Sequence, residues 1–119
     1  MKGVYMQKIE AIVRPEKSDV IRVALEEMGC GGMTLMEVKG QGKQKGLEEV
    51  WRGRRFRVNM LPKLKIEVVV PDDKADAVIT TIMAEAATSG IGDGKIFVSD
   101  VNTAYRIRTR EEGDAALSS

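Results

Sequence analysis

Apolar residues alternate with polar ones in some stretches of this chain and recur three and four apart in others, and the two periods divide it into six elements. Residues 8–13 are β-compatible and stop at Arg14-Pro15, where proline lacks an amide hydrogen and restrains the residue before it. Ser18 is placed to cap a helix whose stripe is Val20, Ile21, Ala24, Leu25 and Met28, with Arg22, Glu26 and Glu27 facing out and Gly29 closing it. Residues 33–38 read as a second strand and residues 63–70 as a third, the latter with Leu64, Ile66, Val68 and Val70 on one face and Pro71 as its end. Asp72 or Asp73 is expected to cap a second helix with the stripe Ala75, Val78, Ile79, Ile82, Met83 and Ala86, broken by Ser89 and Gly90. A last extended run covers 95–101. Alternation resumes through Tyr105 and Ile107 to Thr109, which puts Arg106 and Arg108 on one face of a strand, and the tail after Arg110 is expected to be weakly ordered.

The order β-α-β-β-α-β predicts an α+β fold of the ferredoxin-like kind, two helices on one face of a four-stranded antiparallel sheet. The second face is then uncovered. Yet Ala11-Ile12-Val13, Val68-Val69-Val70 and Ile96-Phe97-Val98 put apolar side chains on both faces, which a solvated face tolerates poorly, so a homo-oligomer with its sheets facing inward is expected.

At 119 residues the chain holds one domain, residues 1–119. Its 19 basic and 18 acidic side chains create no global field that would recruit nucleic acid or an anionic membrane, so neither partner is expected. No apolar run reaches the roughly 20 residues that cross a bilayer, and the start lacks a secretory layout. The single cysteine, Cys30, excludes an internal disulfide and fits a reducing, cytoplasmic setting. The absence of histidine removes the commonest general base near neutral pH and every Ser-His or Cys-His arrangement, which moves the expectation toward a binding protein, although Asp, Glu and Lys can still do acid/base work.

Residues 40–56 show neither period, contain four glycines and exceed the usual connection length, as functional or disordered loops do. They are also locally basic, with Lys43, Lys45, Arg52, Arg54 and Arg55 against Glu48 and Glu49, which suits either a solvated flexible hairpin extension or a partner probe that orders on binding. Gly90-Ile91-Gly92-Asp93-Gly94-Lys95 resembles a phosphate loop, but Ile96 stands where Ser or Thr belongs, and the glycines open a strand rather than a helix. Its amides can still form an anion nest beside Lys95; a tight turn with Asp93 at its corner is the plainer reading of the spacing. Arg106 and Arg108 fit either a polyphosphate or ordinary solvated charge.

Five segments carry a resemblance: Val38-Lys39-Gly40, Gly42-Lys43-Gln44-Lys45-Gly46, Leu61-Pro62-Lys63, the run from Thr88 through Gly90-Ile91-Gly92-Asp93-Gly94-Lys95 to Val98, and Arg106-Ile107-Arg108-Thr109. In this order and spacing they closely resemble the PII family of nitrogen-regulatory signalling proteins, over residues 8–116. The resemblance implies a homotrimer that binds ATP or ADP in clefts between neighbours. By position, Gly32, Met33, Thr34, Lys43, Gly92, Asp93, Gly94, Lys95, Arg106 and Arg108 match the nucleotide-binding residues. It further implies that 2-oxoglutarate binds with Mg-ATP at Gln44, Lys45 and Lys63, with Gln44 as a ligand of Mg2+, a hard cation that takes oxygen donors. Residues 40–56 match the loop that touches an ammonium transporter or a nitrogen-metabolic enzyme or regulator, here through Arg52, Arg54, Arg55 and Phe56.

The sequence also departs from that family. Phe56 stands where many members carry a modifiable tyrosine, and Arg54 where some carry a phosphorylatable serine, so covalent modification is not expected at either. Gln41 replaces an often aromatic residue, Lys43 an arginine and Gly90 an often basic residue, and residues 1–6 extend beyond the usual start. Two other readings compete: a PII-like regulator of a different transporter or metabolite that uses nucleotide alone, and a slow ATPase. Single-stranded RNA binding on the sheet fails for want of stacking aromatics, Phe97 being the only phenylalanine there.

Overall fold

The structure, a computed structural model, describes residues 6–41, 49–51, 54–56 and 60–117. Strands β1 (Met6–Val13), β2 (Thr34–Gly40), β5 (Leu61–Pro71) and β6 (Gly94–Val101) form one sheet in the order β2-β5-β1-β6, with every pairing antiparallel. The helices are α1 (Ser18–Glu27) and α2 (Asp72–Ala86). Register puts Ile9, Ala11 and Val13 opposite Val68, Ile66 and Leu64, and these pack in a single cluster with Ile21 and Leu25 of α1 and Val78 and Ile82 of α2. Both helices therefore cover the same face, which is the ferredoxin-like arrangement expected from the element order.

Several local details differ from the sequence reading. β1 begins at Met6, which pairs with Pro71 and Val101, so Met6 belongs to the sheet. Ser18 is already helical, because a 3-10 turn over Pro15–Lys17 starts the rotation and leaves Lys17 as the cap residue. Pro71 takes the cap position of α2, and Asp72 and Asp73 sit in its first turn, where they complement the helix dipole. Gly29 does close α1: with φ +85 it lets its own amide bond Glu26 and that of Cys30 bond Leu25, both at 2.9 Å. Val20 and Met83 are about half exposed, each lying some 100° round its helix from a fully covered neighbour, Ile21 or Ile82.

The end of the chain departs most. β6 runs along β1 from the pair Val13 and Gly94 to the pair Met6 and Val101, and among the described residues no strand pairs with those that follow. They turn back on themselves instead. Tyr105 bridges Glu112, the Arg106 amide bonds the Glu111 carbonyl at 2.9 Å, and Gly113–Ala116 forms a 3-10 turn. Arg106 and Arg108 thus occupy a tight hairpin rather than a strand. Within residues 40–56, β3 (Glu49–Trp51) and β4 (Arg54–Phe56) form a small antiparallel sheet, too short for its period to show in the sequence.

The uncovered face of the main sheet carries Glu10, Lys65 and Glu67. Glu10 and Glu67 are register partners with like charge, and Lys65 reconciles them, its Nζ 2.9 Å from Glu10 Oε2 and 4.0 Å from Glu67 Oε2. The hydrogen bond between them lowers the Glu10 pKa and raises that of Lys65. Phe97, opposite Glu10, and Met36, opposite Lys65, leave apolar area exposed on this face.

Candidate functional site

Four chain segments converge at one end of the sheet. β1 ends there at Val13, β6 starts at its partner Gly94, β5 brings Lys63 beside Leu64, and Gly40 pairs with Leu61 to close the base of the long connection. Arg14 follows Val13 directly, and the turn of residues 90–93 leads into β6, so register alone brings Arg14, Lys63 and the glycines together.

The turn is tied down from two sides. Arg14 Nε donates to Asp93 Oδ1 at 3.0 Å and Arg14 Nη2 to the Ile91 carbonyl at 2.8 Å, while Lys63 Nζ donates to the Gly92 carbonyl at 2.8 Å. From the other side the Thr88 amide donates to Asp93 Oδ2 at 2.7 Å, the Thr88 hydroxyl donates to Asp93 Oδ1, and the Gly90 amide donates to the Thr88 hydroxyl oxygen at 3.2 Å. Gly92 and Gly94 have φ +97 and +115, backbone that side chains with a Cβ rarely adopt. The cations and Asp93 thus hold a turn whose backbone favours glycine at positions 92 and 94.

The Thr88 hydroxyl and then the Thr88 amide hold the Asp93 carboxyl well below the usual carboxylate range, against an opposing effect of burial that is larger than the further lowering by Arg14. A depressed folded pKa means that the charged form contributes stability above the unfolded value near ~4, and that this contribution is lost as pH falls through the folded value. Asp93→Asn should therefore be less stable than the parent at pH 6, and the gap should narrow steadily below about pH 4. Urea midpoints across that range test this; a gap independent of pH would show that the charge of Asp93 is not what matters.

The other candidate residues lie elsewhere. Gly32, Met33 and Thr34 enter β2, whose Thr34 pairs with Glu67 midway along the sheet, so that Gly32 and Met33 lead away from the turn. The tail passes close by: a Cβ on Gly32 would stand 3.7 Å from the Leu117 carbonyl oxygen. Arg106 and Arg108 belong to the hairpin beyond Val101, with Arg106 Nε 3.4 Å from Glu111 Oε1. The eight residues of β6 separate this hairpin from Gly94, roughly 23 Å of extended chain. Within one chain the candidates therefore form two groups at opposite ends of the sheet. Lys95 lies on β6 opposite Ile12, on the uncovered face next to the first group.

Lys43, Gln44, Lys45 and Arg52 lie outside the described residues, and Arg54, Arg55 and Phe56 are placed only as strand β4. Among the described residues no group of three acidic or cysteine side chains is arranged to hold a metal ion, and no helix is long and apolar enough to cross a membrane. A groove of about 600 Å3 opens at the connection base, with Lys39 and Lys63 among its lining residues. The sequence reading missed Arg14, taken only as a strand end, and gave Thr88 no role of its own. Only the pairing of Val13 with Gly94 reveals what Arg14 faces.

Comparison with known proteins places this geometry. The family described as Nitrogen regulatory protein P-II matches residues 6–111. Nitrogen regulatory protein P-II 1 of Escherichia coli is 56% identical over 112 residues, covering 94% of this chain and 100% of that protein. Nitrogen regulatory protein P-II 2 of Methanothermobacter thermautotrophicus is 51% identical over 114 residues, covering 96% and 99%. Among solved structures, Arabidopsis thaliana PII bound to citrate superposes with a TM-score of 0.80 at 35% identity, covering 98% of this chain and 93% of that one. The antiparallel sheet with its two helices, the glycine turn and this near full-length identity agree, and the chain belongs to the P-II family of nitrogen regulatory proteins.

Proposed function

We propose that this protein reports nitrogen, carbon and energy status by binding ATP or ADP between the subunits of a homotrimer and 2-oxoglutarate together with Mg-ATP. Members of its family are regulatory signalling proteins. The observation that carries the reading is the division of its candidate residues into two groups at the two ends of one sheet. A single polyphosphate cannot touch both groups in one chain, but a cleft between two copies can join the turn of one, with Gly92, Gly94 and Lys95, to Arg106 and Arg108 of the next. The apolar area left by Phe97 and Met36 on the uncovered face gives the copies a surface to bury.

The carboxylate ligand belongs at the base of the connection, where Lys63 lines the groove and Gln44 and Lys45 follow in sequence from β2. Bound Mg2+ would add charge neutralisation between phosphates and acid, with Gln44 as its protein oxygen donor. The connection then contacts its target, an ammonium transporter or a nitrogen-metabolic enzyme or regulator in the cytoplasm, through Arg52, Arg54, Arg55 and Phe56. Ligand binding selects among its conformations and so shifts a population rather than catalysing a reaction. Phe56 has no hydroxyl to modify, which leaves ligands as the control at that position.

Calorimetric titration of 2-oxoglutarate tests this, once with Mg-ATP present and once with ADP. Saturable binding is expected only with Mg-ATP, and Gln44→Ala should weaken it about tenfold or more, the equivalent of about 1.4 kcal/mol. Absence of binding in both states would leave a regulator that uses nucleotide alone.

A further inference from the structure

We propose that Arg14 is a positioning residue of the glycine turn, fixing the direction of its backbone amides so that they can receive a phosphate. The proposal rests on the reading that this turn binds nucleotide, and it gives Arg14 a role by geometry rather than by direct contact with the ligand.

A peptide unit is planar and trans, so its N–H points opposite to its C=O. Arg14 Nη2 holds the Ile91 carbonyl and Lys63 Nζ holds the Gly92 carbonyl, each at 2.8 Å. Those two contacts turn the Gly92 and Asp93 amides away from the cations. Successive amides presented in this way, with Gly92 at φ +97, form a concavity suited to an anion. Arg14 is itself held, because its Nε bonds Asp93 Oδ1 at 3.0 Å while Thr88 grips the same carboxylate. The planar guanidinium therefore spans the turn between a carboxylate and a carbonyl, a task for two donors in fixed relation.

Gly90 belongs to the same device. A Cβ at this position would stand 3.1 Å from Thr88 Oγ1 and 3.2 Å from Arg14 Nη2, so the missing side chain leaves the space that the guanidinium occupies. Gly90 is exposed and has no positive φ, so Gly90→Ala disturbs Arg14 without forcing the backbone. This second variant guards against a fold defect in the first.

The test measures binding of ADP and of adenosine, which lacks phosphates, to the parent, Arg14→Gln, Arg14→Lys and Gly90→Ala. It also measures amide hydrogen exchange of residues 90–94 in the ligand-free protein. In Arg14→Gln, ADP affinity should fall about tenfold while adenosine affinity changes less than about twofold, and exchange of the turn amides should accelerate. Gly90→Ala should act in the same direction, and Arg14→Lys should recover only part of the loss. Equal losses for ADP and adenosine, full recovery in Arg14→Lys, or unchanged exchange would overturn the proposal. If the parent bound neither ligand, the nucleotide reading would fall, while the exchange data would still decide whether Arg14 holds the turn.

Discussion

Gly94→Ala is expected to prevent folding or to cost at least about 3 kcal/mol, more than an added methyl at Gly29, Gly32, Gly40, Gly90, Gly92 or Gly113. A Cβ on Gly94 would lie 1.8 Å from the Ile12 carbonyl oxygen and 2.9 Å from its carbonyl carbon, both backbone atoms of the neighbouring strand. No rotamer change relieves that contact. The φ of +115 adds strain for any residue that carries a Cβ. β6 would have to move away from β1 at the pair Val13 and Gly94, and that shift would pull the turn off Arg14 and Lys63. Gly29→Ala supplies the comparison: it shares a positive φ, but nothing lies within 4 Å of the added methyl, so only the backbone cost of about 1 kcal/mol remains. Urea unfolding of both variants separates close approach from backbone preference. A Gly94→Ala protein with the parental midpoint would mean that β6 does not approach β1 as closely as described.

The sequence carried the layout of the sheet because its strands obey a period that burial enforces. Leu64, Ile66, Val68 and Val70 all lie on the buried face, and Ala75, Val78, Ile82 and Ala86 of α2 face them, as their spacing required. What misled was alternation without a partner strand. Tyr105, Ile107 and Thr109 alternate as a strand would, yet Ile107 is 96% exposed at a hairpin, and among the described residues no strand pairs with it. Strand pairing is a property of two segments, and a single segment's pattern does not report it. The candidate site divides in the same way. The glycines were legible as a turn, since few other residues tolerate that backbone, but Arg14 became visible only once Val13 was seen beside Gly94. The roles proposed for Gln44 and Lys63 came from resemblance to the family, since neither charge nor spacing could assign them.

Lys63→Met should have two separate effects, because one ammonium serves two purposes. On the proposed reading it pairs with a carboxylate of 2-oxoglutarate, and removing one member of such a pair should weaken acid binding about a hundredfold, or about 2.7 kcal/mol. In the ligand-free structure the same Nζ donates to the Gly92 carbonyl, so its loss also frees one of the two carbonyls that orient the turn. ADP binding measured without the acid should then weaken as well, by a smaller factor of about three, since a single hydrogen bond to a half-exposed group is lost. An effect on the acid alone would mean that Arg14 suffices to hold the turn. Both effects together would mean that the acid and the turn draw on one ammonium, an antagonism through a single side chain that the favourable effect of Mg-ATP on acid binding must exceed. The net coupling is read by titrating ATP with and without the acid, and by linkage the nucleotide must change the affinity for the acid by the same factor.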